Sequence, residues 1–416
     1  MSAPVHQQAL TVVAVVRDGR GPALDVLLRD TRKAMQRALQ GVSSLHFARF
    51  VVLPPTEAGG AHSLAIETNF DGELEPHLGE LWQHVGHLLK PCLSHCRDWN
   101  GSDDAEAFQR FVSVNSERAR AYYVAHPGLT VPRIQADARL RLAIHDFLDR
   151  RCPDFTGKPA LALAHALKAH VHELMQQGAQ FDLVRVDRGL SSKEGGFWAV
   201  AMLYPVELVL RMLRGLGVEL RDWLAARRDP PQLYTPEIRQ RLDEIGRHED
   251  RLDQNGLTHL VPIKAGAFRM ATLKFALRIA QEMGERGGRT GRLGELDTIH
   301  FARWVILDDG RLLFFSNYDG SWEAYLGDFI DRAWAGLTMI WSNTLHFPTT
   351  FGLFFLGARD EERFKRWTRA YQFPTQIWYS AYPSLSVAEV IGNAEIREIL
   401  AQELTESSAA RLCRLV

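Results

Sequence analysis

The chain has little cysteine: Cys92, Cys96, Cys152 and Cys413 are the only 4 in 416 residues. They form no Cys-x-x-Cys pair and no dense framework, which excludes a disulfide-stapled scaffold and zinc-finger spacing and fits a reducing compartment. An excess of charge of one sign is also missing. Lys and Arg number 49 against 50 Asp and Glu, a formal net charge of -1, so no global field directs the chain to nucleic acid. No window reaches the roughly 18 uncharged apolar residues of a membrane-spanning helix. The opening Met-Ser-Ala-Pro-Val-His-Gln-Gln has neither the basic region nor the apolar run of a signal peptide. A phosphate loop is absent: the Gly-rich stretch from Gly284 to Gly294 lacks the Lys-Ser/Thr ending and precedes a strand, so it reads as a loop. These absences leave a soluble or surface-bound cytoplasmic protein. At 416 residues it is too long for one ordinary core.

What is present is a long internal repeat. Residues 45–53 read Leu-His-Phe-Ala-Arg-Phe-Val-Val-Leu and residues 299–307 read Ile-His-Phe-Ala-Arg-Trp-Val-Ile-Leu. Asn69-Phe70-Asp71-Gly72 follows the first and Asn317-Tyr318-Asp319-Gly320 the second. The offset is 247 at Leu257 and Leu10, 254 at His300 and His46, and 248 at Asp319 and Asp71. It changes where connections belong, which is where length variation is tolerated. The sequence therefore describes a duplicated unit.

Within each copy the pattern reads β-α-β-β-α. Leu10 to Val16 is a β-branched run ending at Asp18-Gly19, and Ala23 to Leu39 carries apolar residues at helical spacing. The His-Phe-Ala-Arg strand, a strand from Ser63 to Asn69 and a helix from Glu73 to about Leu89 complete a ferredoxin-like unit. A sixth, strand-like element is expected near Phe111 to Val114 and Gly352 to Leu356, followed by a match between 123–131 and 379–387 at an offset of 256 (379−123). The expected organisation is repeat one at 1–150, a largely helical insert at 151–256, and repeat two with a terminal helix at 257–416.

Both faces of the repeated strand are apolar: His300, Ala302, Trp304 and Ile306 alternate with Phe301, Arg303, Val305 and Leu307. A sheet half exposed to water would alternate with polar residues, so helices should cover one face and the other repeat's sheet the opposite one. The fold expected is α+β, two ferredoxin-like repeats forming a pseudo-dimeric α+β barrel. Asp309-Gly310 signals a two-residue hairpin turn, which sets opposed positions at a sum of 619. His300 then faces Asp319, Arg303 faces Ser316, and His46 faces Asp71. His and Arg fall on opposite faces unless the strand is bulged.

Two readings of the dyad compete. As chemistry, Asp raises the basicity of a His that acts as general base or axial haem ligand, with Arg stabilising an oxyanion. As structure, His-Asp is a satisfied buried pair and Arg is a buried cation answered by a carboxylate elsewhere. What both copies share favours packing, so chemistry is sought where they differ. Val12 corresponds to His259, His95 to Asn343 and His126 to Tyr382, and the second copy adds His346. His259 and His346 are the candidate iron ligands, with His95 the rival in the first copy.

The duplicated layout, with Ser316-Asn317-Tyr318-Asp319-Gly320, resembles the haem-binding branch of the dimeric α+β barrel proteins, above all the dye-decolourising peroxidases. Their motif is Gly-x-x-Asp-Gly, and here Ser316 and Thr68 stand in place of its first Gly. The resemblance implies a haem cofactor, Asp319 as acid-base residue on bound peroxide with Arg303 and His300 beside it, and His259 or His346 binding haem, His346 as iron ligand. The function expected is then a peroxidase-like oxidoreductase acting on peroxide or a lipid hydroperoxide.

The alternative is a non-enzymatic lipid- or partner-binding scaffold on a membrane surface. A cofactor-free monooxygenase of the same barrel type is a third reading. The second rests on the insert, where 195–206 carries no charge and runs into 207–214, with Glu207, Arg211 and Arg214 on one helix face. Such a segment, 195–216, is expected to lie in a membrane interface with its arginines at the headgroups, or else to cover a sheet as an inter-domain helix.

Overall fold

The structure, a computed structural model, describes residues 5–57, 59–181, 183–184, 197–228, 235–247, 249, 253–287 and 297–416. Gly195, Gly196 and residues 288–294 of the Gly-rich stretch lie outside them. Each repeat opens as expected. The first runs β1 (Gln7–Val15), α1 (Gly21–Leu39), β2 (Leu45–Leu53), β3 (Ser63–Asp71) and α2 (Leu74–Leu93); the second runs β5 (Gln254–Pro262), α9 (Ala267–Gly287), β6 (Ile299–Ile306), β7 (Arg311–Asp319) and α10 (Trp322–Trp341). In α1 the apolar spacing buries Leu24, Leu28, Met35 and Leu39, with Pro22 at the start, where its missing N–H costs nothing.

The expected sixth strand is corrected. Phe111 to Val114 lies in a helix, α3 (Ala105–Asn115), whose Asp104 side chain accepts the Ala107 N–H at the cap. The spacing of Ala107, Phe108, Phe111 and Val112 buries one helical face, which outweighs the β preference of the short Phe-Val run. Its counterpart is a small hairpin, β8 (Thr350–Phe351) with β9 (Phe355–Leu356).

The following strands leave their own repeats. β4 (Ala119–Val124) pairs with β6, and β10 (Ile377–Ser380) pairs with β2, giving two four-stranded antiparallel sheets ordered β1-β3-β2-β10 and β4-β6-β7-β5. Each repeat thus completes the other's sheet. The architecture is mixed α+β, and neither sheet closes into a barrel.

The remaining helices are α4 (Val131–Arg151), α5 (Ala160–Gln176), α6 (Phe197–Ala201), α7 (Pro205–Arg228), α8 (Pro236–Gly246), α11 (Glu361–Ala370), α12 (Val387–Leu400) and α13 (Glu406–Leu415). α4 and α12 follow the two exchanged strands. Together with α5 and α13 they build a satellite core.

The two sheets face one another. Val51, Leu53 and Ala65 of the first share a cluster with Leu260, Val305, Leu313 and Phe315 of the second. Two arginines cross the interface with matching reach. Arg49 donates to Leu257 O at 2.6 Å, Thr258 Oγ1 at 3.3 Å, Ser316 O at 2.9 Å and Asn317 Oδ1 at 2.6 Å. Arg303 donates to Leu10 O at 2.6 Å, Thr11 Oγ1 at 3.1 Å, Thr68 O at 2.9 Å and Asn69 Oδ1, the corresponding groups of the other repeat. The carboxylate expected to answer the buried Arg is Glu67, which pairs with Arg49 and, at 3.1 Å, with Arg303. The second copy has Phe315 in its place, and Arg49 stacks over that ring at 4.8 Å.

The hairpin register is one residue from expectation. Arg303 faces Phe315 and Ile306 faces Leu312, a sum of 618, because the loop has three residues, Asp308-Asp309-Gly310, with Gly310 at φ 80. A residue in the left-handed region at the end of a three-residue loop is a favoured hairpin closure, and it shifts every pair by one. A bulge between Ile299 and Phe301, matched between Leu45 and Phe47, then turns His300 and His46 onto the inner face beside Phe301 and Phe47. His and Arg therefore share the inter-sheet face.

Removing Glu67 leaves two guanidinium groups in a sealed space. Glu67→Ala is expected to lower the unfolding free energy by about 3–5 kcal/mol. Asp25→Ala, which breaks the part-exposed pair with Arg29 at 2.7 Å, should cost under about 1 kcal/mol. Urea denaturation of both variants makes the comparison.

Candidate functional site

The bulged histidines organise the buried polar cluster. His46 Nε2 donates to Asp71 Oδ1 at 2.9 Å, and His300 Nε2 donates to Asp319 Oδ1 at 2.7 Å. Both expected dyads are therefore formed, through bulges rather than by direct opposition. The second oxygen of each carboxylate caps a helix: Val131 N–H of α4 reaches Asp71 Oδ2 at 2.8 Å, and Val387 N–H of α12 reaches Asp319 Oδ2 at 2.7 Å. A carboxylate at a helix N-terminus satisfies an otherwise open N–H and complements the helix dipole. Each Asp thus ties a strand end, a bulge and an outgoing helix together.

With Nε2–H given to Asp, Nδ1 is the ring acceptor. In the first dyad it takes the Tyr382 hydroxyl at 2.7 Å. Burial, and then the nearby Asp71, push the Tyr382 phenol well above its usual range, so it remains a neutral donor. In the second dyad the position equivalent to Tyr382 is His126, whose ring centroid lies 5.8 Å from that of His300. His300 Nδ1 is buried with no hydrogen-bond partner among the described residues. Gln254 braces this side, its amide N–H groups reaching Tyr382 O at 3.1 Å and Leu385 O at 2.5 Å while its oxygen takes Ser380 Oγ at 2.7 Å.

The rings of His46, Phe47, His126, His300, Phe301 and Tyr382 sit with contacting centroids 5.2–6.1 Å apart. His46 and His300 are 0% exposed and Arg303 is 1% exposed. The expected catalytic set, Asp319, Arg303 and His300, is brought to one inter-sheet layer. Arg303 bonds four groups of the facing sheet and pairs with Glu67.

The residues expected to hold haem lie on the other side of the second sheet. His259 is buried between Trp341 and Trp367, with ring centroids at 4.9 and 4.8 Å. Neither of its nitrogens has a hydrogen-bond partner among the described residues. The cavity it lines with Leu257, Phe314, Tyr325 and Phe329 measures about 20 Å³, roughly the space of one water. Sites for cofactors take several hundred Å³. His346 stands outside, exposed at φ 59, with Nδ1 2.5 Å from the Tyr371 hydroxyl. The two histidines meet only through Tyr371, whose ring is 6.2 Å from His259 and 6.1 Å from His346. The cavity at His259 is too small for a porphyrin, and His346 does not line it, so these two residues do not fit a haem.

His95, the rival, is half-buried where the first strand ends, with Arg17 N–H bonded to its carbonyl at 2.8 Å. No group of three His, Cys, Asp or Glu among the described residues is placed to hold a metal ion.

Sequence reasoning missed Glu67, whose copy-two counterpart is Phe315; the signal was a lone acid in an apolar strand that the other repeat lacks. It also missed the Val131 and Val387 N–H caps, which depend on where a helix begins in space. No protein family, curated protein or solved structure matches the chain.

Burial, followed by the charge of Arg241, pulls His259 down to about 3. The folded chain therefore refuses a proton that the unfolded chain accepts below its ordinary value near 6.5. Stability is full above that value and falls as pH drops, by about 1.4 kcal/mol per unit. His259→Val, which copies Val12 of the first repeat, should hold stability at pH 7 and reduce the loss between pH 7 and pH 5 by about 2 kcal/mol. Urea midpoints at the two pH values test this. Tyr382→Phe removes the donor on His46 Nδ1 and should cost about 1–3 kcal/mol, read in the same assay.

Proposed function

We propose that this chain is a non-enzymatic scaffold that docks on a lipid surface through α6 and α7. One observation carries the reading. Along the outer side of these helices Trp198, Met202, Leu203, Val206, Val209, Leu210, Leu213, Leu220, Trp223 and Leu224 are exposed, between 37% and 71%. Val206, Leu210, Leu213, Gly217, Leu220 and Leu224 recur every four and three residues and so form one stripe. The opposite side of α7 is already used: Leu208 and Met212 pack on the main core, and Gly215 lies against Leu353. The helix thus has an anchored face and a free apolar one.

The β8–β9 hairpin, packed against the anchored side of α7, carries Phe351, Phe355 and Leu356, exposed at 56%, 39% and 56%. It is fastened to α7 by Glu219, which accepts the Thr350 hydroxyl and the Gly352 and Leu353 N–H groups, the latter two at 2.7 and 2.9 Å. The free surface is on the order of 1,000 Å², whereas the largest patch on an ordinary monomer is a few hundred. A quarter of it entering the acyl boundary contributes about 6 kcal/mol. The mixture of Trp, Leu and Met suits an interface between water and hydrocarbon. No described helix is long and apolar enough to cross a membrane, so the contact is one of lying flat.

We read the platform behind this face as a pseudo-dimeric α+β barrel made of two ferredoxin-like halves. The equivalent bulges, equivalent dyads and reciprocal arginines support that reading. In it the buried His, Asp and Arg residues hold the two halves together, and the apolar face does the binding.

Flotation with vesicles of mixed neutral and anionic phospholipid tests the function. The wild type should float, and Leu213→Glu should reduce the floated fraction at least tenfold without changing the urea midpoint. Failure of the wild type to float would remove the lipid reading.

A further inference from the structure

The directions of the charges between Pro205 and Leu224 of α7 narrow the lipid. Three acids lie between Pro205 and Leu224, and all turn inward. Glu207 pairs with Arg211 at 2.7 Å and Arg278 at 2.9 Å. Glu219 is consumed by the hairpin N–H groups, and Asp222 pairs with Arg269 at 2.6 Å and Lys264 at 3.5 Å. The bases divide differently. Arg211, expected at the headgroups, instead bonds Thr272 at 3.1 Å and stacks over Phe275 at 4.7 Å. Arg214 and Arg221 point outward; Arg214 is exposed and makes no ion pair among the described residues, while the Arg221 side chain is 70% exposed and pairs with its neighbour Asp222 at 3.4 Å.

Seven residues apart, these two arginines stand one above the other along one edge of the Val206–Leu224 stripe. At the hairpin end, Arg359 is exposed and lies 3.7 Å over the Trp334 ring, itself 6.4 Å from Phe355. Arg214 and Arg221 thus edge the apolar stripe, while Glu207 and Asp222 of α7 are paired with bases on its other side.

We infer that the surface recognised is an anionic phospholipid bilayer, with Arg214 and Arg221 on its phosphates while the Val206–Leu224 stripe of α7 enters the acyl boundary. The inference rests on the lipid-docking function proposed above. Guanidinium forks suit phosphate oxygens, and each basic residue near an anionic leaflet contributes about fivefold in affinity.

The full chain is titrated with vesicles of phosphatidylcholine alone and with about 30 % phosphatidylglycerol, at low and high salt, as wild type, Arg214→Glu/Arg221→Glu and Leu213→Glu. The expected result is at least a tenfold preference for the anionic vesicles, weakened by salt and lost in the arginine variant, whose urea midpoint is unchanged. Equal binding to both vesicles overturns this inference and leaves lipid docking standing. An anionic preference that survives the arginine variant overturns it too. Binding to neither vesicle removes the docking function itself. A concentration-dependent dimer in sedimentation that Leu213→Glu abolishes, without vesicle binding, makes the occupant a second copy and overturns both. Inorganic phosphate that competes at millimolar level in place of vesicles identifies a soluble anion site and overturns the bilayer assignment.

Discussion

Two guanidinium groups sharing one buried carboxylate hold the two sheets in register. Arg49 and Arg303 each cross to the facing sheet and end on the same set of groups, two backbone carbonyls, a Thr hydroxyl and an Asn oxygen. The carbonyls matter because Glu67 supplies one negative charge for two positive ones. Desolvation pulls the Arg49 guanidinium downward and Glu67 pulls it back, and the remaining charge is spread over oriented peptide dipoles. Such a contact tolerates little sliding, since a shift by one residue turns the donors away from all their acceptors.

The exchange of β4 and β10 follows the same constraint. A sheet edge left open exposes unpaired backbone groups, and here each repeat's last strand covers the other's edge. The outgoing helices are then caught by Asp71 and Asp319, whose carboxylates accept from a His on one oxygen and from the first helical N–H on the other. Duplication doubles the device, but the copies have diverged at its centre. Tyr382 serves His46, while His126 stands beside His300. Divergence also placed His259 where the first copy has Val12, in an aromatic cage that keeps it neutral.

Against this closed interior the insert behaves oppositely. α7 uses one face to join the core and leaves the other in water, with its acids drawn inward and two of its arginines outward. An apolar stripe of that length is costly to display, and the second sheet does not need it for cover, because α9 and α10 already pack on its outer face. The inner side of α7 meets α9 and the β8–β9 hairpin.

Much of this was legible in the chain. The repeat, the β-α-β-β-α order, the sheets apolar on both faces and the His-Asp partnership all follow from local chemistry, because periodicity and turn residues act over a few positions. The register was not, since a three-residue closure at Asp308-Asp309-Gly310 and a bulge at His300 each move a pair by one residue without changing composition. Nor was the inward turn of Glu207 and Arg211, which depends on α9 lying beside α7. The sequence by itself carried two equivalent β-α-β-β-α halves, each with its own His, Arg and Asp. Only the tertiary structure decided where these polar groups spend their hydrogen bonds, His on Asp and Arg on the facing sheet, because satisfaction is a property of distances between strands far apart in the chain.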